Sequence, residues 1–295
     1  MSSAEAASAD RPANALPDAL RLGPVHLTVA DLDRAVAWYE RALGMRVHGR
    51  DGADAELGEG SETAVALHED PEAGPAGRHA GLYHYALLYP RREELARAGL
   101  RVIESRTPVT GMSDHGTHEA IYLPDADGNG IELAADRPRE AWTSFAEEFA
   151  RGGPAPLDLE ALLRTVDGES PPAHVAEGLR VGHIHLHVGD IEEGLAFYRD
   201  VLGFELRANI GTAAFVSAGG YHHHVAFNVW RGQGVGPPPP HAVGLHHWTV
   251  ELPTRGDLAE VRARVDGAGA PLDEVADGFR TSDPWRLAVE FVAAG

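Results

Sequence analysis

The sequence of 295 residues predicts an α+β protein made of four modules, each a strand followed by a helix and several strands. An internal repeat is the first observation, because residues 26–47 and 185–206 share eight identities over 22 aligned positions. A weaker repeat is the second, because GLYHYALLYP at 81–90 resembles GLHHWTVELP at 244–253. We therefore expect modules to begin near residues 22, 81, 180 and 244.

The stronger repeat contains the signals of a strand followed by a helix. Each copy opens with alternating apolar and polar residues, which is the pattern of a half-buried strand. Asp31 and Asp190 then stand where a helix N-cap is expected. Gly44 and Gly203 stand where a glycine ends a helix. Further strand-like stretches follow, such as residues 63–67 and 213–217.

The modules predict how the chain is divided. We expect a disordered tail at 1–20, an N-terminal domain at 21–136, a linker with short helices at 137–178 and a C-terminal domain at 179–295. A sheet in each domain must bury one face under its helices, and the other face can curl around a cavity.

Composition excludes several classes of function. The formal net charge of −20 disfavours nucleic acid and anionic membranes as partners, because both require clustered positive charge. The chain has no cysteine, which excludes disulfides, thiolate catalysis and cysteine-based zinc sites. No apolar run reaches membrane-spanning length, and the first residues lack the features of a secretory signal. These features predict a cytoplasmic protein, with homo-oligomerisation left open.

The chain is rich in histidine, with 17 residues, and several lie in strand-like segments. His84 lies in the strand pattern of the second module, and Glu132 follows a tight turn at 127–130. The hairpin should bring Tyr122 close to Glu132. In the third module, alternation predicts that His183, His185 and His187 project from one strand face. Further along the same module, it predicts that His222 and His224 share a face.

These side chains are candidates for a metal site. Two imidazoles and one carboxylate form a facial triad that suits Fe(II) and leaves positions open for substrate and O₂. A tetrahedral zinc with three protein ligands and a water needs the same residue types, so the metal stays open between them. His84, Glu132 and His183 occupy matching places in the repeated modules, and we prefer this set.

The same segments resemble a known superfamily. GLYHYALLYP, DHGTHEAIYLPDADGNGIELAADRPREAW, GHIHLHVGD and SAGGYHHHVAFNVW are similar to segments of the vicinal oxygen chelate superfamily, which includes glyoxalase I, antibiotic-resistance proteins and extradiol dioxygenases. The chain most resembles the two-domain catechol 2,3-dioxygenases of Gram-positive bacteria. In this superfamily the metal histidine stands seven residues before the aspartate that opens the helix. Counting back from Asp190 gives His183, whereas counting back from Asp31 gives Pro24, so the first module is expected to supply no ligand.

The resemblance implies that the four modules are βαβββ units, paired into two curved mixed sheets. It also implies a non-haem Fe(II)-dependent extradiol dioxygenase that cleaves catechol-like rings with O₂. Its small-molecule partners would be an aromatic diol and O₂, with Mn(II) or Zn(II) as less favoured metals. His115 would act as general acid–base, and Tyr122 would hydrogen-bond the substrate. Further hydrogen bonds around the metal or substrate would come from three histidines: His185, His222 and His224.

Two alternatives remain at the level of the sequence. If the third module pairs with the fourth, the ligands would be His183, His247 and Glu290; the preferred set requires the second module to pair with the third. The fourth module lacks a Tyr and a His at the places of Tyr122 and His115. Other functions in the superfamily are a metal-dependent lyase or isomerase, and a metal-free drug-binding resistance protein.

Overall fold

The protein is described by a computed structural model, which covers residues 14–294. Its strands are β1 (Arg21–Val29), β2 (Arg46–Asp51), β3 (Asp54–Glu59), β4 (Glu62–Glu69), β5 (Gly81–Tyr89), β6 (Gly111–Asp114), β7 (His118–Pro124), β8 (Gly130–Asp136), β9 (Ala155–Pro156), β10 (Arg180–His187), β11 (Glu205–Asn209), β12 (Ala213–Ser217), β13 (Val225–Asn228), β14 (Gly244–Leu252), β15 (Asp273–Val275), β16 (Gly278–Ser282) and β17 (Ala288–Ala293). Its helices are α1 (Leu32–Leu43), α2 (Arg92–Glu104), α3 (Phe145–Ala150), α4 (Leu159–Leu163), α5 (Ile191–Leu195) and α6 (Arg255–Gly267). A π-helical segment, Ala196–Val201, continues α5, and 3₁₀ turns lie at Arg139–Ala141 and Arg164–Val166.

The strands form two mixed sheets, as the sequence predicted. Within residues 14–294 one sheet has eight strands in the order β15-β16-β17-β14-β1-β4-β3-β2. The other has nine, in the order β11-β12-β13-β10-β5-β8-β7-β6-β9. The first sheet therefore joins the first and fourth modules, and the second sheet joins the second and third. Each of the predicted halves, 21–136 and 179–295, contributes one module to each sheet.

The helix boundaries follow the capping residues that the sequence predicted. The Asp31 carboxylate accepts a hydrogen bond of 2.9 Å from the Arg34 N–H. Asp190 caps α5 in the same way, with bonds from two backbone amides. Gly44 ends α1 in the left-handed conformation with φ of 69°, which glycine adopts without steric cost. These predictions are confirmed.

The core lies between the helices and one face of each sheet. Helix α1 buries Trp38, Tyr39 and Leu43 on its inner face. Packing also extends into the predicted tail, because Leu16 and Leu20 are buried and the Leu16 N–H bonds the Gly203 carbonyl. For this part of the tail the prediction of disorder is wrong, since two leucines bury apolar surface there. Residues 1–13 lie outside the described residues.

Buried tyrosine–aspartate bonds link the two modules within each half. Tyr39 of α1 donates to Asp125 at 3.1 Å, and Tyr198 donates to Asp283 at 2.9 Å. Burial raises the pKa of Asp283 to about 7, although backbone and tyrosine hydrogen bonds to the carboxylate oppose that shift. The sheets connect the halves to one another, and these bonds connect modules inside a half.

Candidate metal centre

Three side chains converge on the concave face of the nine-stranded sheet. His183 Nε2 lies 3.0 Å from Glu132 Oε2, and His84 Nε2 lies 3.1 Å from the same oxygen. The donor atoms of all three residues lie within 4.8 Å of one another, and all three side chains are buried. The preferred set of ligands is thus brought together.

The register of three central strands explains this convergence. Strand β5 lies between β8 and β10, so Ala86 pairs with Glu132 on one side and with His183 on the other. His84 lies two residues before Ala86 and therefore projects from the same face. The hairpin also pairs Tyr122 directly with Glu132, as expected from its tight turn. Sheet pairing alone therefore positions the three donors.

Glu132 is charged in spite of its burial. Its side chain is 1% exposed, and desolvation alone would raise the pKa of the carboxyl group. Charge attraction from His183 and hydrogen bonds from His118, His183 and His84 outweigh desolvation and hold that pKa well below its usual value. Burial lowers the pKa of His183, whereas the charge of Glu132 and its hydrogen bond with His183 oppose that shift.

Two imidazole nitrogens and a carboxylate oxygen aimed at one point match the donor set of a divalent transition metal. The arrangement has no cysteine ligand and leaves one side facing a cavity, which suits a catalytic centre. The residues therefore fit the metal that the sequence predicted.

His118 belongs to this centre, and the sequence analysis did not single it out. Its Nε2 lies 2.9 Å from Glu132 Oε1, the carboxylate oxygen that does not face His84 and His183. Its ring is stacked between those of His115 and His222, at centroid distances of 4.5 and 4.7 Å. Strand alternation could have revealed it, because His118, Ala120 and Tyr122 share the face of β7 that lies beside Glu132.

His115 and Tyr122 form a hydrogen-bonded pair beside the triad. His115 Nε2 lies 2.8 Å from the Tyr122 hydroxyl, and His115 Nδ1 lies 3.0 Å from Glu148 Oε1. Glu148 comes from helix α3 in the linker, which sequence analysis treated only as a connector. Burial raises the pKa of Tyr122 well above its usual value, so the phenol keeps its proton. The pair can therefore both accept and donate protons at the edge of the centre.

A cavity of about 690 Å³ opens in front of these residues. Helix α3 covers part of it and contributes Phe145, Glu148 and Phe149, which share one helix face. This spacing is the signal that could have identified α3 from the sequence. The remaining walls include aromatic rings from the two central modules: Tyr83, Phe215 and Trp230.

The other histidines take different positions. His185 lines the cavity, and burial lowers its pKa well below the usual value. His222 Nε2 lies 3.2 Å from Asp136 Oδ1, and the His224 ring accepts a bond of 3.1 Å from the Ala218 N–H; neither lines the cavity. His223 lines it instead. Residues 221–224 lie outside the regular strands, and the shared face of His222 and His224 stays a prediction.

The alternative ligand set is not brought together. His183 lies in the nine-stranded sheet, whereas His247 and Glu290 lie in the eight-stranded sheet. His247 Nε2 is 3.6 Å from Glu290 Oε2, and Arg280 Nη2 donates to that oxygen at 2.6 Å. The module pairing explains this result, since the third module pairs with the second.

Fold and centre together define a two-sheet α+β protein with a buried cluster of histidine and carboxylate donors that could hold a metal ion, open to a cavity. The sequence pattern of the Glyoxalase/Bleomycin resistance protein/Dioxygenase superfamily matches residues 21–133 and 180–291. The chain belongs to this superfamily, as its segments predicted. A curated catechol-2,3-dioxygenase of Bacillus subtilis (strain 168) is 41% identical over 268 residues, which cover 89% of this chain and 93% of that protein.

Solved structures share the fold. Glyoxalase I from Zea mays aligns with a TM-score of 0.58 and 17% identity, covering 93% of this chain and 92% of that one. A Bacillus subtilis protein described as a presumptive dioxygenase aligns with a TM-score of 0.62 and 14% identity, covering 92% and 84%. At such identities the likeness concerns the fold alone. No helix in the described part of the chain is long and apolar enough to cross a membrane.

Proposed function

We propose that the chain is an extradiol dioxygenase that cleaves catechol-like rings with O₂, using one Fe(II) held by His84, Glu132 and His183. The observation that carries this proposal is the convergence of the three donors beside the His115–Tyr122 pair, inside a cavity large enough for an aromatic diol. The related catechol-2,3-dioxygenase supports it, because 41% identity extends over nearly the whole length of both chains.

The iron, when bound, supplies the redox chemistry and brings diol and O₂ together, which removes an entropic barrier. His115 holds or releases a proton at Nε2, where the distance of 2.8 Å to the Tyr122 hydroxyl gives a path for its transfer. Glu148, at 3.0 Å from Nδ1, fixes the orientation of the His115 ring. The phenol of Tyr122 remains protonated and can donate a hydrogen bond to a diol oxygen.

His118 orients the ligand carboxylate. Because it contacts Oε1 of Glu132, the other oxygen stays directed at His84 and His183. Hydrogen bonds of this kind commonly tune metal affinity. The apolar rings of the cavity exclude water from the reacting atoms.

Metal analysis and turnover test the proposal together. Protein prepared anaerobically with Fe(II) should contain about one iron per chain and convert catechol to a ring-opened product with uptake of O₂. Glu132→Ala should lose both iron and turnover, whereas the matched variant Glu290→Ala in the other sheet should keep both. Iron retained by Glu132→Ala would overturn the assignment of the ligands.

Two other functions give different results in the same experiment. A lyase or isomerase of the superfamily would bind metal and need no O₂. A drug-binding protein would contain no metal and would not turn over catechol. Fe(II) rather than Mn(II) or Zn(II), a cytoplasmic location and the oligomeric state stay predictions from the sequence.

A further inference from the structure

The cavity is much larger than the diol ring that the proposed reaction requires. Its volume of about 690 Å³ falls in the middle of the range for sites that enclose drug-sized ligands, roughly 300–1,000 Å³. A catechol is a single ring with two hydroxyl groups. A catechol placed against His84, Glu132 and His183 would leave most of this space for another group.

The unused part of the cavity has apolar walls. Within residues 14–294, eight large apolar side chains are exposed, and four of them line this cavity: Tyr83 (41% exposed), Phe149 (38%), Ile210 (38%) and Trp230 (51%). Clustered exposed apolar surface marks a binding site rather than ordinary surface. These side chains would lose contact with water if an apolar group lay between them.

Aromatic rings lead continuously from the triad to the cavity mouth. On one side, His183 contacts His223, which contacts Phe215, with ring centroids 4.2 and 5.3 Å apart. Phe215 in turn lies 4.7 Å from Phe145, whose ring stacks with Phe149 at 6.3 Å.

The other side of the cavity is similar. His84 contacts His185, which lies 5.4 Å from the ring of Trp230. Trp230 meets Tyr83 edge to face at 5.3 Å. Rings on two sides can sandwich a planar or branched apolar group in the offset and edge-to-face contacts that aromatic groups prefer.

The cavity also has no arginine or lysine among its described lining residues to pair with a negatively charged substituent. Among the described residues that line it, none is Arg, and the chain contains no Lys. The acidic side chains are Glu132, which faces the triad, and Glu148, which is 7% exposed and lies beside His115. A carboxylate buried here would lose its hydration without a permanently charged side chain to offset that cost.

We infer that the preferred substrate is a catechol with a bulky uncharged apolar substituent, such as an aryl group, and that carboxylated catechols are disfavoured. Phe149 and Trp230 contact that substituent and determine the specificity. This inference rests on the proposed dioxygenase function, because it assumes that the diol lies against the triad.

A substrate panel tests it. Fe(II)-loaded enzyme is assayed with catechol, 3- and 4-phenylcatechol, and 2,3- and 3,4-dihydroxybenzoate. We expect kcat/KM for at least one phenylcatechol to exceed that for catechol by on the order of tenfold or more, the worth of burying part of an aromatic ring. Both dihydroxybenzoates should fall below catechol. A catechol value equal to or above both phenylcatechols, or a preference for either benzoate, would overturn the inference.

Substitutions in the cavity walls test whether these side chains cause the preference for phenylcatechol. Phe149→Ala and Trp230→Ala should each lower the ratio of kcat/KM for phenylcatechol to that for catechol several-fold. Ile103→Ala, at an apolar position that is 55% exposed and outside the cavity, should leave the ratio unchanged. Ile210→Arg, at the exposed edge, should raise turnover of a dihydroxybenzoate relative to phenylcatechol. An unchanged ratio in both alanine variants would show that Phe149 and Trp230 do not determine the substrate preference.

Equilibrium binding separates this inference from the proposed reaction. The Fe(II)-loaded protein is titrated anaerobically with the same five compounds. If phenylcatechol binds more tightly than catechol and no compound is cleaved with O₂, the inferred ligand class stands and the reaction is wrong. If cleavage occurs without a phenyl preference in binding or in kcat/KM, the reaction stands and the inferred class is wrong. If none of the five binds, both are wrong.

Discussion

Arg280 lies directly opposite Glu290 in the β16–β17 ladder and donates a hydrogen bond of 2.6 Å to Oε2 of that carboxylate. Tyr122 has the same position opposite Glu132 in the β7–β8 ladder. In the eight-stranded sheet a guanidinium thus pairs with the glutamate whose counterpart in the other sheet, Glu132, is the proposed metal ligand. The two sheets therefore match in strand register at these positions and differ in the side chain that lies opposite the glutamate.

The first prediction concerns this arginine–glutamate pair. Glu290→Ala and His247→Ala should keep one iron per chain and a near-normal kcat, because both residues are remote from the triad. They should lower the melting temperature by a few degrees, since each leaves part of the Arg280 cluster without its partner. Iron content, kcat and thermal unfolding of both variants check this prediction. Loss of iron in either variant would move the metal to the eight-stranded sheet.

The second prediction concerns His118. Its bond of 2.9 Å to Glu132 Oε1 should hold the carboxylate in the orientation that binds the metal. His118→Ala should therefore weaken iron affinity by roughly 10–100-fold, the usual effect of a partner to a metal ligand. Competition with a chelator measures that affinity. His48→Ala, at an exposed position, is the matched control, and equal iron affinity in both variants would argue against an orienting role.

The third prediction concerns His115, which bonds Tyr122 and Glu148 and is not a member of the proposed triad. His115→Ala should keep its iron and lose on the order of 10²–10⁴ in kcat, the usual contribution of a positioned general acid–base. Iron analysis with steady-state kinetics makes this check. Full activity would exclude His115 from proton transfer, and loss of iron would indicate a structural role.

The fourth prediction concerns acid stability. Burial, assisted by repulsion from neighbouring histidines and Arg280, lowers the pKa of His26 to about 3 and that of His247 to about 2, from 6.5. Below pH 6.5 these two histidines bind protons in the unfolded chain but not in the folded chain. Their contribution to the free energy of unfolding is therefore fully present above pH 6.5 and decreases as pH falls towards 3. The melting temperature should drop between pH 7 and pH 5, and less steeply in His26→Gln/His247→Gln.

A histidine with the opposite shift provides the control. The imidazole of the exposed His241 donates a hydrogen bond to the Asp70 carboxylate, which raises the pKa of His241. His241 therefore contributes stability at low pH that is lost as pH rises. His241→Gln should therefore not reduce the decrease in melting temperature at acid pH. A pH profile of the double variant parallel to that of the parent protein would contradict the prediction.

Local signals in the sequence were enough to predict much of the fold and to select two of the proposed ligands, His84 and Glu132. The capping aspartates and the tight turn have local causes, so the helices and the pairing of Tyr122 with Glu132 were predictable. The resemblance added His183, through its distance from Asp190. The pairing of modules was not predictable, because it depends on contacts between strands far apart in sequence.

Two other features also depended on tertiary structure. One is the course of residues 221–224, which lie outside the regular strands and follow a turn in which Gly219 and Gly220 have φ of 59° and 64°. Glu148 could not be linked to His115 from the sequence, since the two residues lie 33 positions apart and only the tertiary fold brings them together. Side chains that contact the centre from a linker leave no repeat pattern.

The sharing of each sheet between the two halves also affects how the protein is made. His84 emerges from the ribosome about 100 residues before His183. Strand β1 emerges more than 200 residues before its partner strand β14. Until then the nascent chain exposes the edges of β5 and β1, which are templates for pairing with other chains. Long-range pairing of this kind also slows folding. We expect iron loading to follow completion of synthesis, so that a chain truncated before residue 180 leaves the ribosome without a metal centre and prone to aggregate.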